Sequence, residues 1–427
     1  MDQISYASTI PIHADADVIV VGGGPAGFAA ALAARRSGCS VIILERSAQI
    51  GGAGTLYGVS IWMPIGVITG IYQEVVELLG RPDCRGRDFA ATGKYAPQFD
   101  PAVVRHVLAD LLVSSGVEVL HHCAIVDAQV TDGRVSSVVC HTPEGLRAFT
   151  GRCFIDCSGD ARLARSAGVR TTCGRDSDGR TQPMTLMFQM VDTGRPQRLA
   201  LPASVPRYER VEDLPQGRLL HWLDPQTGTL LVNMTRVAGN AALLHDRSRA
   251  EREGLRQALG VADYLQRTTH PTFALSSVAA EIGVRETHQI DAIYNLTEQD
   301  VLEGRSHADV ACQADYGIDI HNPQGGPGTV QPKRAAPVLY DIPLRSLLPA
   351  AGPSNLCVAG RCLGASHVAM SAARVQPTCM GMGQAVGTAS AMAIQAGIPI
   401  REVPIAGFHD RLHQQGVRFA ARPRTAS

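Results

Sequence analysis

"VIVVGGGPAGFAAALAARRSGCSVIILERSAQIGGAGT", residues 18–55, decides how the rest of the chain is read. With Asp17 it opens as "DVIVV", a continuous β-branched run and the pattern of a parallel strand buried on both faces. Gly22, Gly24 and Gly27 follow at GxGxxG spacing, enclosing Pro25 and Ala26, and "GFAAALAARRSG" then reads as a helix. In this pattern the first glycine permits a tight turn and the second lets the backbone approach a pyrophosphate. The third lets the helix pack close to the strand. Amides at the helix start, backed by the positive end of its dipole, face the anion. A second apolar strand, "SVIIL", ends at Glu45, where an acid accepts hydrogen bonds from ribose hydroxyls. Glycines at this spacing alone would be ordinary turn punctuation; strand, glycines, helix, strand and acid together specify a dinucleotide site.

The next residues bear on which dinucleotide. "ERSAQIGGAGT" puts Arg46, Gly51, Gly52 and Thr55 directly after the acid. Here the chain resembles flavoproteins of the glutathione-reductase type, in which this second glycine pair closes over the FAD phosphates. Simple nicotinamide dehydrogenases usually lack it. The resemblance implies FAD as cofactor and an α/β fold: a Rossmann-like FAD-binding domain carrying a three-stranded meander, plus an inserted α+β substrate domain. On this reading residues 1–170 begin the FAD domain, 171–345 form the substrate domain, and 346–427 return to the FAD domain with its C-terminal helix.

Local signals fit that division. Residues 57–100 begin as a glycine-broken apolar stretch, in which Trp62 and Met63 read equally as core or as lining for the ring end of the cofactor, and continue as a polar loop. "DPAVVRHVLADLLVSSG" is a helix with Asp100 as N-cap, Pro101 in its first turn and Gly116 as stop. Strands punctuated by Asp132-Gly133 and Glu144-Gly145 turns come next, where the related folds insert their meander. By the same resemblance, main-chain groups near Ala124 and Ile125 touch the adenine. Asp160, in "FIDCSGD", reads either as a residue beneath the cofactor or as a helix N-cap. "NLCVAGR" is a buried strand running into Gly360 and Arg361, and from Pro377 a long small-residue helix begins, with Thr378 and Cys379 in its first turn. A helix start aimed at the flavin pyrimidine would stabilise negative charge on a reduced ring.

"RETHQIDAIYNLTEQDVLEG", "DIHNPQG", "YDIPLRSLLP" and "VAGRCLGASHVAMSAARVQPTCMGMGQAVGTA" resemble one branch of FAD-dependent oxidoreductases, related to the flavin subunits of fumarate reductase and heterodisulfide reductase. The chain departs from that branch in its scattered cysteines, which lack the CxxC repeats of iron–sulfur centres. No second GxGxxG opens a later strand–helix unit, so no built-in nicotinamide domain is expected. "AGRCLGASH" stands where related aromatic hydroxylases carry a GDAAH-like turn.

Composition narrows the partners. The 427 residues hold 39 Lys plus Arg against 39 Asp plus Glu, with no basic stripe, which argues against nucleic acid. No apolar run is long enough to span a bilayer, and the first residues lack a secretory signal pattern. Eleven cysteines without such a signal read as reduced thiols of a cytoplasmic protein. His121 and His122 are adjacent and would point to opposite faces of a strand, so no metal site is expected. Self-assembly into a homo-oligomer stays open.

With FAD supplying the redox step, the protein must hold a small-molecule substrate and move a proton. His367, in "GASHVAM", is the first candidate, either as acid–base group or as a purely positional residue. Arg285 and His288, in "GVRETHQI", are the next; Arg285 would bind a substrate carboxylate or pair with Glu281 or Glu286. Arg361 and Arg374 would contact phosphate, pyrimidine or substrate, and His321 in "DIHNPQG" faces an interdomain cleft without an assigned role. The expected activity is oxidation of a small organic molecule, electrons then passing to oxygen, a quinone or a protein. Alkene reduction, an electron-transfer subunit and a monooxygenase are the alternatives.

Overall fold

The β-branched run at 17–21 is the end of a longer strand, and its two faces feed two different cores. The computed structural model describes residues 4, 7–63, 65–79, 98–330 and 338–420; residues 80–97, in the stretch expected to be a polar loop, lie outside them. The first strands in the chain are β1 (Ile12–Val21), β2 (Val41–Glu45), β3 (Glu118–His121), β4 (Ala124–Thr131), β5 (Arg134–Thr142) and β6 (Gly145–Asp156). Interleaved with or following them are helices α1 (Pro25–Arg36), α2 (Ile71–Leu78), α3 (Pro101–Ser114) and α4 (Arg162–Ser166). β1 pairs in parallel with β2 and β6, and β3 in parallel with β2. Val18 and Val20 point into the core that holds α1, whereas Ile19 and Val21 point into a second core beneath β5 and β6.

β6 does double duty. Its residues 145–150 pair antiparallel with β5, which pairs with β4, completing the meander, while residues 148–156 run parallel to β1. Asn355 fixes this corner: its side-chain oxygen accepts from Val135 N (2.8 Å) and its amide donates to the carbonyls of Val135 and Arg152.

The second layer begins with β7 (Thr171–Cys173) and centres on an antiparallel sheet of β8 (Phe188–Asp192), β9 (His221–Asp224), β10 (Thr229–Val232) and β11 (Phe273–Val278), in the order β11-β8-β10-β9. Helix α5 (Leu244–Arg267) covers it, contributing Ala258, Val261, Ala262 and Leu265 to a separate small core. The chain then returns through β12 (His288–Ile290), α6 (Glu298–Glu303), β13 (Val310–Ala314), β14 (Ile320–His321), β15 (Thr329–Val330), β16 (Tyr340–Pro343) and β17 (Leu356–Val358), which runs parallel to β6. It ends in α7 (His367–Ala373), α8 (Gln376–Ala396) and α9 (Ile405–Gln414). Leu296, Val301, Ala311, Ala314, Tyr340 and Leu347 lie in the same core as α1 and α8. Much of residues 290–345, grouped with the substrate domain by sequence, therefore packs with α1 and α8, and the second layer's own core clusters lie within residues 184–284. The reason is that β13 and β16 pair with each other and bury against α8, leaving no face for the β8–β11 sheet.

Helices α1 and α8 lie side by side and parallel. A Cβ on Gly383 would meet Ala26 O at 2.1 Å, and one on Gly387 would meet Ala30 O at 2.2 Å. Only a missing side chain permits that approach. Gly387→Ala is expected to force the helices apart and destabilise the protein by about 1–3 kcal/mol, read as a lower melting temperature than that of Gly397→Asn at the exposed end of α8.

Candidate active site

One cavity of about 540 Å³ runs between the two layers, within the range of small-molecule and cofactor sites. At one end its walls are Leu44, Glu45, Arg46, Cys123, Ala124 and Ile125; its middle is lined by Gly22, Gly24, Pro25, Ala26, Gly52, Asp160, Gly360 and Arg361; its far end meets Arg285, Tyr316, Asp319, His321, Arg374 and Gln376.

The middle is built to receive an anion. Gly22 turns at φ +98°, and a Cβ there would strike Cys157 O at 2.6 Å. Nothing lies within 4 Å of where a Gly24 Cβ would stand, so that position faces the open cavity. Gly27 is a packing glycine: a Cβ on it would meet Gly22 O at 1.8 Å. In α1 the first intrahelical bond is donated by Phe28 N to Gly24 O, leaving the preceding amides at the cavity. Arg361 Nη2 approaches Asp160 Oδ1 at 3.3 Å, while its buried Nη1 has no partner among the described residues. Burial alone would raise the Asp160 carboxyl, but Arg361 and Arg247 outweigh it and hold it below the ordinary range. Asp160 also accepts from Thr287 Oγ1 (2.8 Å). It is not the N-cap of α4, which is Ala161 at φ 51°.

At the first end Glu45 is 7% exposed and accepts from Gly23 N and Ser47 N, both at 2.7 Å. These bonds fix the carboxylate at the cavity wall with lone pairs to spare for diol hydroxyls. Arg46 reaches across to the second layer, bonding Tyr57 and pairing with Glu281. The Thr55 hydroxyl instead donates to Ile50 O (2.8 Å), shaping the loop that carries Gly52. At the start of α8, Val375 caps without a side-chain bond, and Gln376 and Cys379 reach the cavity. Thr378 is behind them, its Oγ1 buried without a partner among the described residues. The orphan Arg361 Nη1, the glycine-lined middle and two helix starts fit FAD: Glu45 would stand at the ribose, the α1 amides and Arg361 at the phosphates, and the α8 start at the ring.

The catalytic candidates part company. Arg285 lines the cavity. His367 is not among the lining residues: its Nδ1 lies 2.8 Å from Glu286 Oε1, and Glu286 also accepts from Gln182 N. That ring ties α7 to the turn at 286, the positional role. His288 sits in β12 with Nδ1 3.2 Å from Thr171 Oγ1, also away from the cavity. In the segment 181–188, Met184 is core and Gln182 Oε1 accepts from Arg374 (3.4 Å).

What the far end brings together is a different set. His321, 5% exposed, has Nε2 3.6 Å from Asp319 Oδ2 and no partner for Nδ1 among the described residues. Tyr316 OH donates to the same carboxylate at 3.2 Å. The loop is pinned by Asp319 N to Ser371 Oγ and by Gly66 N to Asp315. Burial and the Arg285 charge outweigh Asp319 and push the His321 imidazole down to about 3, so it is neutral near physiological pH. Burial opposes the Asp319 charge, yet His321, Arg374 and Arg285 hold its carboxyl well below the usual range. Arg285 donates to Pro183 O (2.7 Å) and Thr185 Oγ1 (2.6 Å); burial and then Arg236 and Arg374 push its guanidinium well below its ordinary value. The sequence signals for this set were "DIHNPQG" and the separately placed candidates Arg285 and Arg374.

Glu45→Ala removes a charged acceptor from two amides and from the ribose position. It is expected to weaken FAD binding about 10- to 100-fold, measured by fluorescence titration of apoprotein; unchanged affinity would move the ribose elsewhere.

Among solved structures, OxyS anhydrotetracycline hydroxylase from Streptomyces rimosus aligns with a TM-score of 0.47 at 13% identity, covering 94% of this chain and 68% of that one. A geranylgeranyl bacteriochlorophyll reductase-like protein from Thermoplasma acidophilum aligns with a TM-score of 0.47 at 11% identity, covering 94% and 84%. A digeranylgeranylglycerophospholipid reductase of Methanopyrus kandleri is 33% identical over 171 residues, 36% of this chain and 42% of that protein. A thiamine thiazole synthase of Pyrococcus abyssi is 30% identical over 138 residues, 32% of this chain and 50% of that protein. The chain thus spans half or less of the length of the curated relatives it matches here, and these are reductases and synthases rather than the fumarate reductase subunits its motifs resemble. Among the described residues no helix is long and apolar enough to cross a membrane, and no group of three or more metal-ligating side chains converges. The family model for FAD dependent oxidoreductases matches residues 17–412, and the chain belongs to that family.

Proposed function

We propose that this protein oxidises a small organic substrate by removing a hydride and a proton, with His321 Nδ1 as the proton acceptor. When bound, FAD supplies a two-electron acceptor for the hydride. The observation that carries the reading is the neutral imidazole with an unpartnered Nδ1, set against Asp319 in the same cavity as the dinucleotide cradle. Asp319 orients the ring through Nε2 and stabilises the imidazolium that forms when Nδ1 takes the proton. Tyr316, its hydroxyl pushed up by burial and by Asp319, stays protonated and keeps the carboxylate in place. Arg285 and Arg374 hold the substrate beside these groups. Electrons then leave to oxygen, a quinone or a protein in the cytoplasm. The motif likeness to fumarate reductase flavin subunits agrees with such chemistry on a carbon skeleton.

A second reading is reduction of an alkene, favoured by the likeness to the Methanopyrus kandleri digeranylgeranylglycerophospholipid reductase. The same imidazole would then return the proton, as microscopic reversibility requires.

Anaerobic mixing with a panel of small organic compounds, scored by loss of flavin absorbance, tests the direction; rapid reoxidation by alkenes alone would select the second reading. With any compound that bleaches the flavin, His321→Gln is expected to slow bleaching by about 10²- to 10⁴-fold at unchanged FAD content. An unaltered rate would remove His321 from the mechanism. With the imidazole of the unliganded protein pushed down to about 3, the second-order rate constant for bleaching at low substrate, which reports the free protein, should show no inflection attributable to it between about pH 5 and 8. An apparent pKa near the free imidazole value, abolished in His321→Gln, would contradict the neutral, buried base.

A further inference from the structure

Arg285 and Arg374 line the far end of the cavity, with a third guanidinium, Arg236, buried behind them, and the acceptors around Arg236 and Arg285 are neutral. Arg236 is 2% exposed and bonds Thr185 Oγ1 (3.0 Å) and Asn233 Oδ1 (2.9 Å). Arg285 is 9% exposed and bonds the same two atoms, at 2.6 and 3.4 Å. Two buried like charges are thus held on one shared pair of neutral oxygens. Arg374 adds a third, 3.7 Å from Asp319 Oδ2. Asp319 is the one carboxylate among the groups described around them, and His321 is neutral. Among the described residues two buried positive charges are in excess, and the exposed Arg218 on the cavity wall adds to the same sign. Arg236 Nε and Nη2 and Arg374 Nε are buried with no partner among the described residues.

Burying uncompensated charge costs several kcal/mol per ion, so this arrangement calls for an anion. The cofactor phosphates do not meet it, because their cradle is the α1 start and Arg361, whereas Arg236 and Arg285 hang from the second layer through residues 183–185 and 233–235. Beside the arginines the wall is apolar, formed by Met187, Leu220 and Trp222.

We infer that the substrate is an organic acid: its carboxylate seats against Arg285 and Arg374, with Arg236 reinforcing the field from behind, and its apolar remainder lies along Met187, Leu220 and Trp222. This rests on the oxidoreductase reading above and names its substrate class. A guanidinium fork matches the two oxygens of a carboxylate. Seating the charge there presents the adjacent carbon to His321, on the segment that also supplies Asp319.

The test uses FAD-loaded protein and matched probes that differ only in charge: phenylacetate against phenylacetamide, and hexanoate against hexanamide. Binding is read by calorimetry and by perturbation of the flavin spectrum. Each acid is expected to bind at least about tenfold more tightly than its amide. Arg285→Gln should abolish that preference and Arg285→Lys retain part of it, while FAD content and melting temperature report folding. Arg374→Gln gives an independent loss of preference should Arg285→Gln fail to fold. Equal binding of acid and amide, no binding of either acid at millimolar concentration, or an intact preference in Arg374→Gln and Arg285→Gln would overturn the inference. Bleaching by a neutral compound with no acid bound would leave the redox reading standing and sink this one. Acids that bind selectively without any compound bleaching the flavin would do the reverse.

Discussion

The close approach of two parallel helices governs this molecule. With Gly383 against the carbonyl of Ala26 and Gly387 against that of Ala30, α8 rides on α1 at backbone contact. The pairing sets where their starts fall. Gln376 precedes Gly383 by seven residues, about 10 Å of helix, whereas Ala26 is itself in the first turn of α1. The α8 start therefore projects past the α1 start along one cavity. Two sets of unpaired amides with the same sign of dipole are thereby placed at two depths, one suited to phosphates and one to the far, redox-active end of the same ligand. A side chain at either glycine would separate the two depths and spoil both.

Both helix starts were legible in the sequence, and the far end of the cavity beyond the second was not. β1, the glycine turn, α1, β2 and Glu45 are contiguous in sequence, and each is selected by a backbone requirement: burial on both faces, a positive φ at Gly22, no Cβ at Gly27, an acid at the strand end. Such requirements leave a pattern in a single chain. The far end is assembled from Thr185, Asn233, Arg236, Arg285, the 316–321 loop and Arg374, segments brought together only by packing of the β8–β11 sheet on the first layer. A charged residue in a loop carries no local mark of its partners, so Arg236 and Asp319 could not be singled out, and His321 stood without a role. His367 misled for a related reason: a strand–glycine–helix turn locates the backbone, but the direction of the ring was set by Glu286, eighty-one residues earlier.

The same logic explains the domain boundary. Residues 290–345 lack dinucleotide signals, which grouped them with the substrate region, yet Leu296, Ala311, Tyr340 and Leu347 bury with α1 and α8. This return segment matters chemically because it carries the 316–321 loop. The proton-handling groups are thus mounted on the cofactor layer, through Ser371 and Gly66, while Arg236 and Arg285 belong to the other layer. Arg374, the C-cap of α7, is mounted on the first layer with His321 and Asp319, so of these arginines only Arg236 and Arg285 stand opposite them.

That division has an electrostatic consequence. Arg285 both depresses the His321 imidazole and holds Asp319 ionised, so the cation that would bind a substrate anion also keeps the base free of a proton. An arriving anion would offset the Arg285 field, and the imidazole's affinity for a proton would rise at the moment one has to be taken. An isolated histidine on an exposed loop would have no such dependence: it would titrate near neutrality whether or not substrate were present. In the proposed reaction the strength of the base would be set by occupancy of the neighbouring charge site, and the buried arginines would tune proton transfer as well as hold the substrate.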